Sequence, residues 1–175
     1  GNLPTGDKDP FALRRHALGV IRILMEADFS LNLDTLLANA AKSFGFMLEL
    51  WPEQERADFA AHQPKLLDFI YDRLAGSLRE QGYSAQEVDA VLALRPQRLG
   101  DVPKRLAAVR TFAALPEAAA LAAANKRISN ILKKVPEVDA HVSEVLLQEA
   151  AEKALYAAMQ DVAPRANAQF EAGDY

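Results

Sequence analysis

The chain has 175 residues, of which half are hydrophobic and a quarter are charged, and its net charge at pH 7 is −4. This length and composition fit one globular domain or slightly more, with enough apolar residues to bury a core. The absence of cysteine excludes disulfides, thiolate metal sites and a cysteine nucleophile, and no apolar run approaches the ~20 residues of a membrane-spanning helix. We therefore expect a cytoplasmic protein without a membrane segment.

Apolar residues recur at steps of three and four along most of the chain, and no stretch alternates with a period of two. This pattern predicts an all-α protein. The first helix is predicted to start at Pro10, with Asp9 as its N-cap, and to end near Ala27. The residues predicted to face inward from it are Leu13, Ala17, Val20, Ile21, Leu24 and Met25.

Six further helices are predicted along the rest of the chain. Their approximate ranges are 33–42, 64–81, 84–94, 101–115, 117–134 and 149–162. Trp51 is predicted to pack at the edge of the core in the irregular stretch between the first two of these. Gly82 is favoured just after a helix C-terminus, and Ser84 with Glu87 fits a capping box for the helix that follows.

The apolar stripes of these helices predict which residues are buried. The stripe of the helix over 64–81 consists of Leu67, Ile70, Tyr71, Leu74 and Leu78. The last helix is predicted to bury Leu155, Met159 and Val162. Pro136 is predicted to stop the helix over 117–134, because proline lacks the backbone N–H and clashes with the preceding turn.

Residues 95–134 form a basic band within an otherwise acidic chain. The band contains nine Lys and Arg residues but only two acids, a net charge of +7. The 94 residues before it carry −5, and the 41 residues after it carry −6. A concentrated positive segment between acidic flanks is typical of a surface that binds a polyanion.

The helix predicted over 117–134 carries the most distinct part of this band. On a helical wheel its apolar residues fall on one side, and the opposite side contains no acid. That basic face consists of Lys126, Arg127, Asn130, Lys133 and Lys134. We interpret it as a phosphate-binding face, with Asn130 able to hydrogen-bond a base edge or a sugar. The alternative is that the two C-terminal lysines complement the helix dipole and that the other cations are simply solvated.

Four further cations extend the predicted nucleic-acid site beyond this helix. They are Lys104, Arg105, Arg98 and Arg95. Phe112 is the one aromatic residue of the band, and we predict that it lies in the core. Many cations without a stacking aromatic predict binding that is led by phosphate contacts rather than by base stacking.

Catalytic and metal-binding patterns are sparse in this sequence. The three histidines, His16, His62 and His141, are far apart and lack metal-ligand spacing, and Asp139 with His141 forms a weak pair at most. The chain has neither a phosphate-binding glycine loop nor a Gly-x-Ser-x-Gly elbow. We interpret four carboxylates as solvated surface rather than as acid–base catalysts: Asp68, Asp72, Glu87 and Asp89. The prediction is a binding module with no catalytic residue, no cofactor and no metal site.

Two stretches resemble signatures of one known family. The first is Pro4-Thr5-Gly6-Asp7-Lys8-Asp9-Pro10-Phe11-Ala12-Leu13-Arg14-Arg15, and the second is Ala122-Ala123-Ala124-Asn125-Lys126-Arg127-Ile128-Ser129-Asn130-Ile131-Leu132. Both resemble the β subunit of bacterial heterotetrameric glycyl-tRNA synthetase. The run over 89–95 between them and the run over 149–155 after them also match. The resemblance therefore covers essentially the whole chain.

This resemblance implies a domain organisation. Residues 1–59 would be the end of an HD-like helical region with its connector. Residues 60–175 would be a C-terminally truncated helical anticodon-binding domain of the Asp-Ala-Leu-Arg type. Because the chain begins with Gly1 and because family members continue past its last turn with further helices, we expect it to be a fragment of a longer protein.

The resemblance also implies partners and a role. In this family the α subunit carries the class II active site that uses glycine and ATP, and the β subunit supplies most of the tRNA binding. The expected partners are therefore glycine tRNA and the α subunit, in a heterotetramer of two α and two β subunits. Arg14 and Arg15 would face either tRNA or acids at an inter-domain contact. The rival hypothesis is a non-catalytic scaffold that packs β against α or against other β domains.

Overall fold

The computed structural model describes residues 9, 11–45, 49–134 and 141–175. Seven α-helices lie wholly within these residues, and no described residue is in a β-strand, which confirms the all-α prediction for this part of the chain. The helices are α1 (Leu13–Glu26), α2 (Leu33–Ser43), α3 (Glu53–Glu80), α4 (Ala85–Leu92), α5 (Val102–Ala113), α6 (Ala118–Leu132) and α7 (Ala150–Ala172). Short 3₁₀ helices occupy Leu99–Asp101 and Glu144–Leu146.

Two compact units share the chain, Gly1–Arg110 and Thr111–Tyr175. The division by contacts falls after Arg110. The domain boundary that the resemblance implies, between residues 59 and 60, stays a prediction. The first unit contains α1 to α4, α5 as far as Arg110, and most of the packing of the described chain. The second contains α6 and α7.

The first unit is built around α3, which contacts α1, α2 and α4. The predicted stripe of α3 is confirmed, since Ile70, Tyr71, Leu74 and Leu78 are buried and Leu67 packs against them. The other elements contribute buried residues to the same cluster: Ile21, Leu24, Leu33, Val88, Val91, Leu99, Val102 and Leu106. Burying a side chain of this size contributes about 1.5–3 kcal/mol, so this cluster fixes how α1 to α5 pack.

Helix α1 begins three residues later than predicted. It starts at Leu13, after Ala12 in the left-handed region at φ 52°. The Asp9 carboxylate nevertheless accepts hydrogen bonds from the backbone N–H groups of Leu13 (2.8 Å) and Arg14 (3.0 Å). Asp9 therefore satisfies free N–H groups at the helix start, while Pro10 lies outside the described residues.

The predicted inward face of α1 is correct for most of its residues. Ala17, Ile21 and Leu24 are buried. The prediction is wrong for Val20, which is exposed. The buried residues follow steps of four and three, and Val20 lies one residue off that line.

The turn between α3 and α4 has the predicted chemistry. Gly82 has φ 92°, which favours glycine. The Ser84 N–H donates to Glu87 Oε2 (2.7 Å), and the Glu87 N–H donates to Ser84 Oγ (3.2 Å). Both halves of the capping box are therefore present.

Several predicted boundaries and burials are wrong. Helix α3 starts at Glu53 and includes Pro64 in its interior, so the proline preference for the first turn misplaced its start. Helix α7 continues to Ala172, ten residues beyond its predicted end. Trp51 and Phe112 are exposed rather than in or beside the core. Pro136, predicted to stop α6, lies outside the described residues.

The second unit buries little of its apolar surface. Among its described residues, only Ala118 is buried. The residues of α7 predicted to be buried, Leu155, Met159 and Val162, are all exposed. The apolar side of α6 is exposed as well, at Leu121, Ile128, Ile131 and Leu132. Periodicity located these apolar stripes correctly, but the described residues do not cover them.

Candidate nucleic-acid interface

The nine residues predicted to bind nucleic acid divide between the two units. Four lie in the first unit, within 95–105, and five lie in the second unit, on α6 and the turn after it. The two groups differ in their surroundings. The first group lies among carboxylates and buried side chains, whereas the second is exposed on one helix.

Arg95 is held at the surface of α3. Its guanidinium forms an ion pair with Asp68 (2.6 Å) and lies over the Tyr71 ring, 5.0 Å from the ring centre. The Tyr71 hydroxyl donates to the Pro96 carbonyl (3.1 Å), and burial raises the pKa of Tyr71 although the Arg95 charge opposes this. Arg95 therefore has an intramolecular role in fixing the segment after α4.

Arg98 and Lys104 share the carboxylate of Asp28. The Arg98 guanidinium is 3.0 Å from Asp28 Oδ1, and Lys104 Nζ is 3.7 Å from Asp28 Oδ2. Arg98 Nε is also 3.7 Å from a carboxylate oxygen of Asp101. Arg105 is half-buried on α5. These contacts connect the end of α1 to the start of α5 and lower the net positive charge of this part of the band.

Gln97 provides a cap that the sequence analysis missed. The N-terminus of α2 donates to it twice, from the Leu33 N–H to the Gln97 carbonyl (2.9 Å) and from the Asp34 N–H to Gln97 Oε1 (3.0 Å). The side-chain bond joins residues 63 positions apart. Local cap signals cover only a few residues, so no signal in the sequence near α2 points to Gln97.

Arg110 belongs to the basic band, but its guanidinium contacts other side chains of the first unit. Its Nε donates to Glu87 Oε1 (2.6 Å), and its guanidinium lies 4.7 Å from the centre of the Tyr83 ring. The Arg110 hydrogen bond, followed by the hydrogen bonds from Ser84, lowers the pKa of Glu87 to about 2. Arg110 thus ties α5 to the capping box of α4.

The basic face of α6, defined as Lys126, Arg127, Asn130, Lys133 and Lys134, is different. All five side chains are exposed. Among the residues that the structure describes, no carboxylate oxygen lies within 4.0 Å of any of its four cations, and Asn130 forms no side-chain hydrogen bond. The face extends over eight residue steps, about 12 Å of helix.

This arrangement suits a polyanion whose charges repeat along a strand. Lys133 and Lys134 lie at the C-terminus of α6, where cations are stabilised by the helix dipole. Lys126 and Arg127 lie two turns earlier, where that effect has decayed. Lysine contributes a mobile point charge and arginine a planar fork, and both bind phosphate oxygens. The basic face can therefore contact several phosphates of one strand.

Other kinds of site find no support in the described part of the chain. There, no three His, Cys, Asp or Glu side chains come together in a way that could hold a metal ion. Asp139 lies outside the described residues, so its predicted weak pairing with His141 is not tested. No single described helix is long and apolar enough to cross a bilayer. Only the segments Leu99–Ala113 and Ala118–Leu132, taken as one pair, reach the length and apolar composition of a membrane span.

Sequence comparison places the chain among known proteins. The model of the family described as "Glycyl-tRNA synthetase beta subunit" matches residues 1–93, more than half of the chain. The chain is 70% identical over 176 residues to the Glycine–tRNA ligase beta subunit of Polaromonas naphthalenivorans, an alignment covering 100% of this chain and 23% of that protein.

Two further relatives with the same name agree. The beta subunits from Acidovorax sp. (strain JS42) and Paracidovorax citrulli are each 67% identical over 175 residues, again covering 100% of this chain and 23% of each relative. The chain thus spans about a quarter of the length of these relatives. It belongs to the glycyl-tRNA synthetase beta subunit family.

Proposed function

We propose that this chain is part of the tRNA-binding portion of a glycyl-tRNA synthetase β subunit, and that the basic face of α6 contacts the anticodon arm of glycine tRNA. The observation that carries the proposal is the contrast within the basic band. Arg95, Arg98, Lys104 and Arg110 pair with carboxylates of the first unit. The four cations of α6 have no such partner among the described residues.

The charge pattern favours a nucleic acid over a small anion. Four exposed cations on one helix face repel one another, which destabilises the isolated helix by a few tenths of a kcal/mol for each close pair. A bound phosphate strand removes that repulsion and releases condensed counterions. In this proposal, α6 remains the tRNA contact, while Arg95, Arg98, Lys104 and Arg105 support the fold or lie at the edge of the interface.

The role of the chain is to position tRNA rather than to catalyse. Residues 60–175 would act as the anticodon-binding domain and residues 1–59 as the end of an HD-like region. The α subunit, in a cytoplasmic heterotetramer of two α and two β subunits, would attach glycine to the distant acceptor end with the use of ATP. Phosphate contacts fix the register of the tRNA, and correct placement of the reacting groups lowers the entropic part of the barrier.

A salt titration of tRNA binding tests the proposal. The full-length β subunit carrying Lys126→Ala and Arg127→Ala should bind labelled glycine tRNA more weakly than wild type, as measured by fluorescence anisotropy. Its plot of log affinity against log salt should be shallower by about 2, since each lost phosphate contact reduces the slope by about 1.

The matched control removes two cations that already have partners. Arg22 pairs with Glu26 (2.8 Å) and Arg79 with Asp89 (3.3 Å), so Arg22→Ala with Arg79→Ala makes the same charge change in helices other than α6. This control should retain the wild-type slope. If the α6 variant keeps that slope too, the basic face does not bind tRNA.

A scaffold is the second candidate function, and the exposed apolar sides of α6 and α7 favour it. Leu121 and Ile131 are each 55% exposed, and Leu155 is 65% exposed. Such residues are typical of surfaces that other protein segments cover. In that case the basic face would meet acidic protein surface, and tRNA affinity would not change in the α6 variant while assembly with the α subunit would weaken.

A further inference from the structure

Helix α1 has a second stripe of residues that the core of the first unit does not use. This stripe, defined as the outer face of α1, consists of His16, Gly19, Val20 and Ile23. Its members follow one another at steps of three, one and three, so they share one side of the helix. All four are exposed. At ~100° per residue, the outer face lies about 120° around the helix axis from the buried residues of α1.

The outer face exposes two branched apolar side chains on either side of a glycine. Ile23 is 60% exposed and Val20 is 38% exposed, and Gly19 lies between them on the helix surface. A single exposed apolar residue is common on protein surfaces. Two of them beside a mid-helix glycine form a shallow apolar surface that another helix can pack against.

The described residues give no reason for a glycine at position 19. Apart from proline, glycine is the residue least favourable to a helix interior, and the backbone of Gly19 is helical rather than left-handed. A Cβ atom there would meet no described atom within 4 Å. Gly100 is different, because a Cβ atom at that residue would meet Asp28 at 2.6 Å. The use that remains for Gly19 is the close approach of a backbone from outside the described residues.

The size of the outer face indicates what kind of segment covers it. Helix α1 has 14 residues, so one of its faces is about 21 Å long and about 10 Å wide. Packing on it would bury about 400 Å² in total, counted over both partners, whereas a stable interface between separate chains needs about 1,000 Å² or more. A segment of the same chain needs less area, because its packing loses little translational and rotational freedom.

We infer that a helix from a part of the β subunit outside these 175 residues packs on the outer face of α1, with its closest approach at Gly19. The chain covers 23% of its relative from Polaromonas naphthalenivorans, so more than three quarters of such a protein is available on the same polypeptide. Segments tethered in this way meet at a high effective concentration. The inference goes beyond the proposed function and does not depend on tRNA binding.

Thiol labelling of the β subunit tests this inference. The 175-residue chain contains no cysteine, so Ile23→Cys places its only thiol on the outer face. The rate of its reaction with N-ethylmaleimide is measured, by mass spectrometry of the peptide that contains position 23, in the 175-residue chain and in the full-length β subunit without the α subunit. The rate should be at least about tenfold lower in the full-length subunit, because reaction there requires local opening.

Two further variants control this measurement. Val20→Cys places a thiol on the same face with a smaller loss of side-chain volume, and it should show the same protection. Glu80→Cys places a thiol at the exposed end of α3, and it should react at a similar rate in both proteins. Circular dichroism of each variant shows whether it retains the helices.

The close approach at Gly19 has a test of its own. In the full-length subunit, adding Gly19→Ala to Ile23→Cys should raise the labelling rate at least about threefold, because extra atoms in a packed contact destabilise it. Gly76→Ala is the matched control, since Gly76 is another mid-helix glycine at which a Cβ atom would meet no described atom within 4 Å. It should leave the rate unchanged. In the 175-residue chain, neither alanine should increase the rate.

Each outcome decides the inference. Protection of position 23 in the full-length β subunit, partly released by Gly19→Ala and not by Gly76→Ala, supports it. Equal labelling rates in the 175-residue chain and the full-length subunit overturn it. Protection that appears only after the α subunit is added assigns the outer face to that subunit and also overturns it. Protection that Gly19→Ala leaves unchanged overturns the close approach at Gly19.

Discussion

At the scale of single residues, Asp28 shows how cations of the basic band take part in contacts within the first unit. It has φ 45°, a left-handed conformation that aspartate adopts more readily than most residues. Its carboxylate meets both Arg98 and Lys104. Gly100 packs directly against it, so the close approach depends on the missing side chain of that glycine.

The variant Gly100→Ala should destabilise the protein by about 1–3 kcal/mol, the usual cost of forcing extra atoms into a packed site. A Cβ atom at residue 100 would lie 2.6 Å from Asp28 Oδ1 and 3.3 Å from Asp28 Cα. It would therefore displace the carboxylate from Arg98. Urea unfolding at neutral pH measures the loss of free energy of unfolding.

The control for this experiment is Gly76→Ala on α3. A Cβ atom at residue 76 would meet nothing within 4 Å, and alanine is favoured over glycine in a helix by up to about 1 kcal/mol. Gly76→Ala should therefore be neutral or stabilising. Equal stability changes in the two variants would show that the contact between Gly100 and Asp28 does not constrain the fold.

At the scale of helices, the sequence correctly predicts those features that depend on residues close together in the chain. The stripe of α3, the turn at Gly82 and the capping box of Ser84 and Glu87 all depend on residues within a few positions, and all are confirmed. The cap that Gln97 gives to α2 depends on a residue 63 positions away, and no local pattern reports it. The prediction from the basic band had the same limitation, because counting charges along the sequence cannot show that Arg98 forms an ion pair with Asp28.

The tie between α4 and α5 predicts a pH dependence of stability. The pKa of Glu87 falls from an ordinary 4.5 to about 2, mainly because of Arg110. Since the folded pKa is the lower one, the unfolded chain binds more protons below pH 4.5, and the stabilisation is lost as the pH falls through this window. Glu87→Gln removes the titrating group. The difference in unfolding free energy between wild type and this variant should therefore shrink between pH 4.5 and pH 2.

Thermal unfolding at several pH values across that window measures this difference. Glu80→Gln is a suitable control, because its side chain forms no hydrogen bond or ion pair with the described residues. Its stability relative to wild type should change less with pH. A constant difference between wild type and Glu87→Gln from pH 5 to pH 2 would mean that Arg110 does not stabilise the ionised carboxylate.

At the scale of the whole molecule, the two units differ in how much of their apolar surface they bury. The cluster around α3 joins residues from α1 to α5, whereas α6 and α7 leave their stripes exposed. Apolar periodicity shows which face of a helix is apolar and does not show what covers it. This is why the burial predicted for α7 is wrong although the stripe itself is present.

This difference predicts uneven protection in amide hydrogen exchange. Local opening costs most where buried apolar contacts are dense and least where they are few. In the 175-residue chain, the amides of residues 70–78 in α3 should therefore exchange by the slowest, near-global opening, and those of α6 should exchange faster by orders of magnitude. Mass spectrometry of peptides from the two helices measures both in one experiment.

The same measurement on the full-length subunit separates two causes of exposure. If another segment of the β subunit covers the apolar side of α6, protection of α6 rises there while protection of α3 stays unchanged. The basic face, on the opposite side of that helix, would then be fixed toward solvent. If α6 exchanges as slowly as α3 already in the 175-residue chain, the stability of the second unit has a source other than apolar burial.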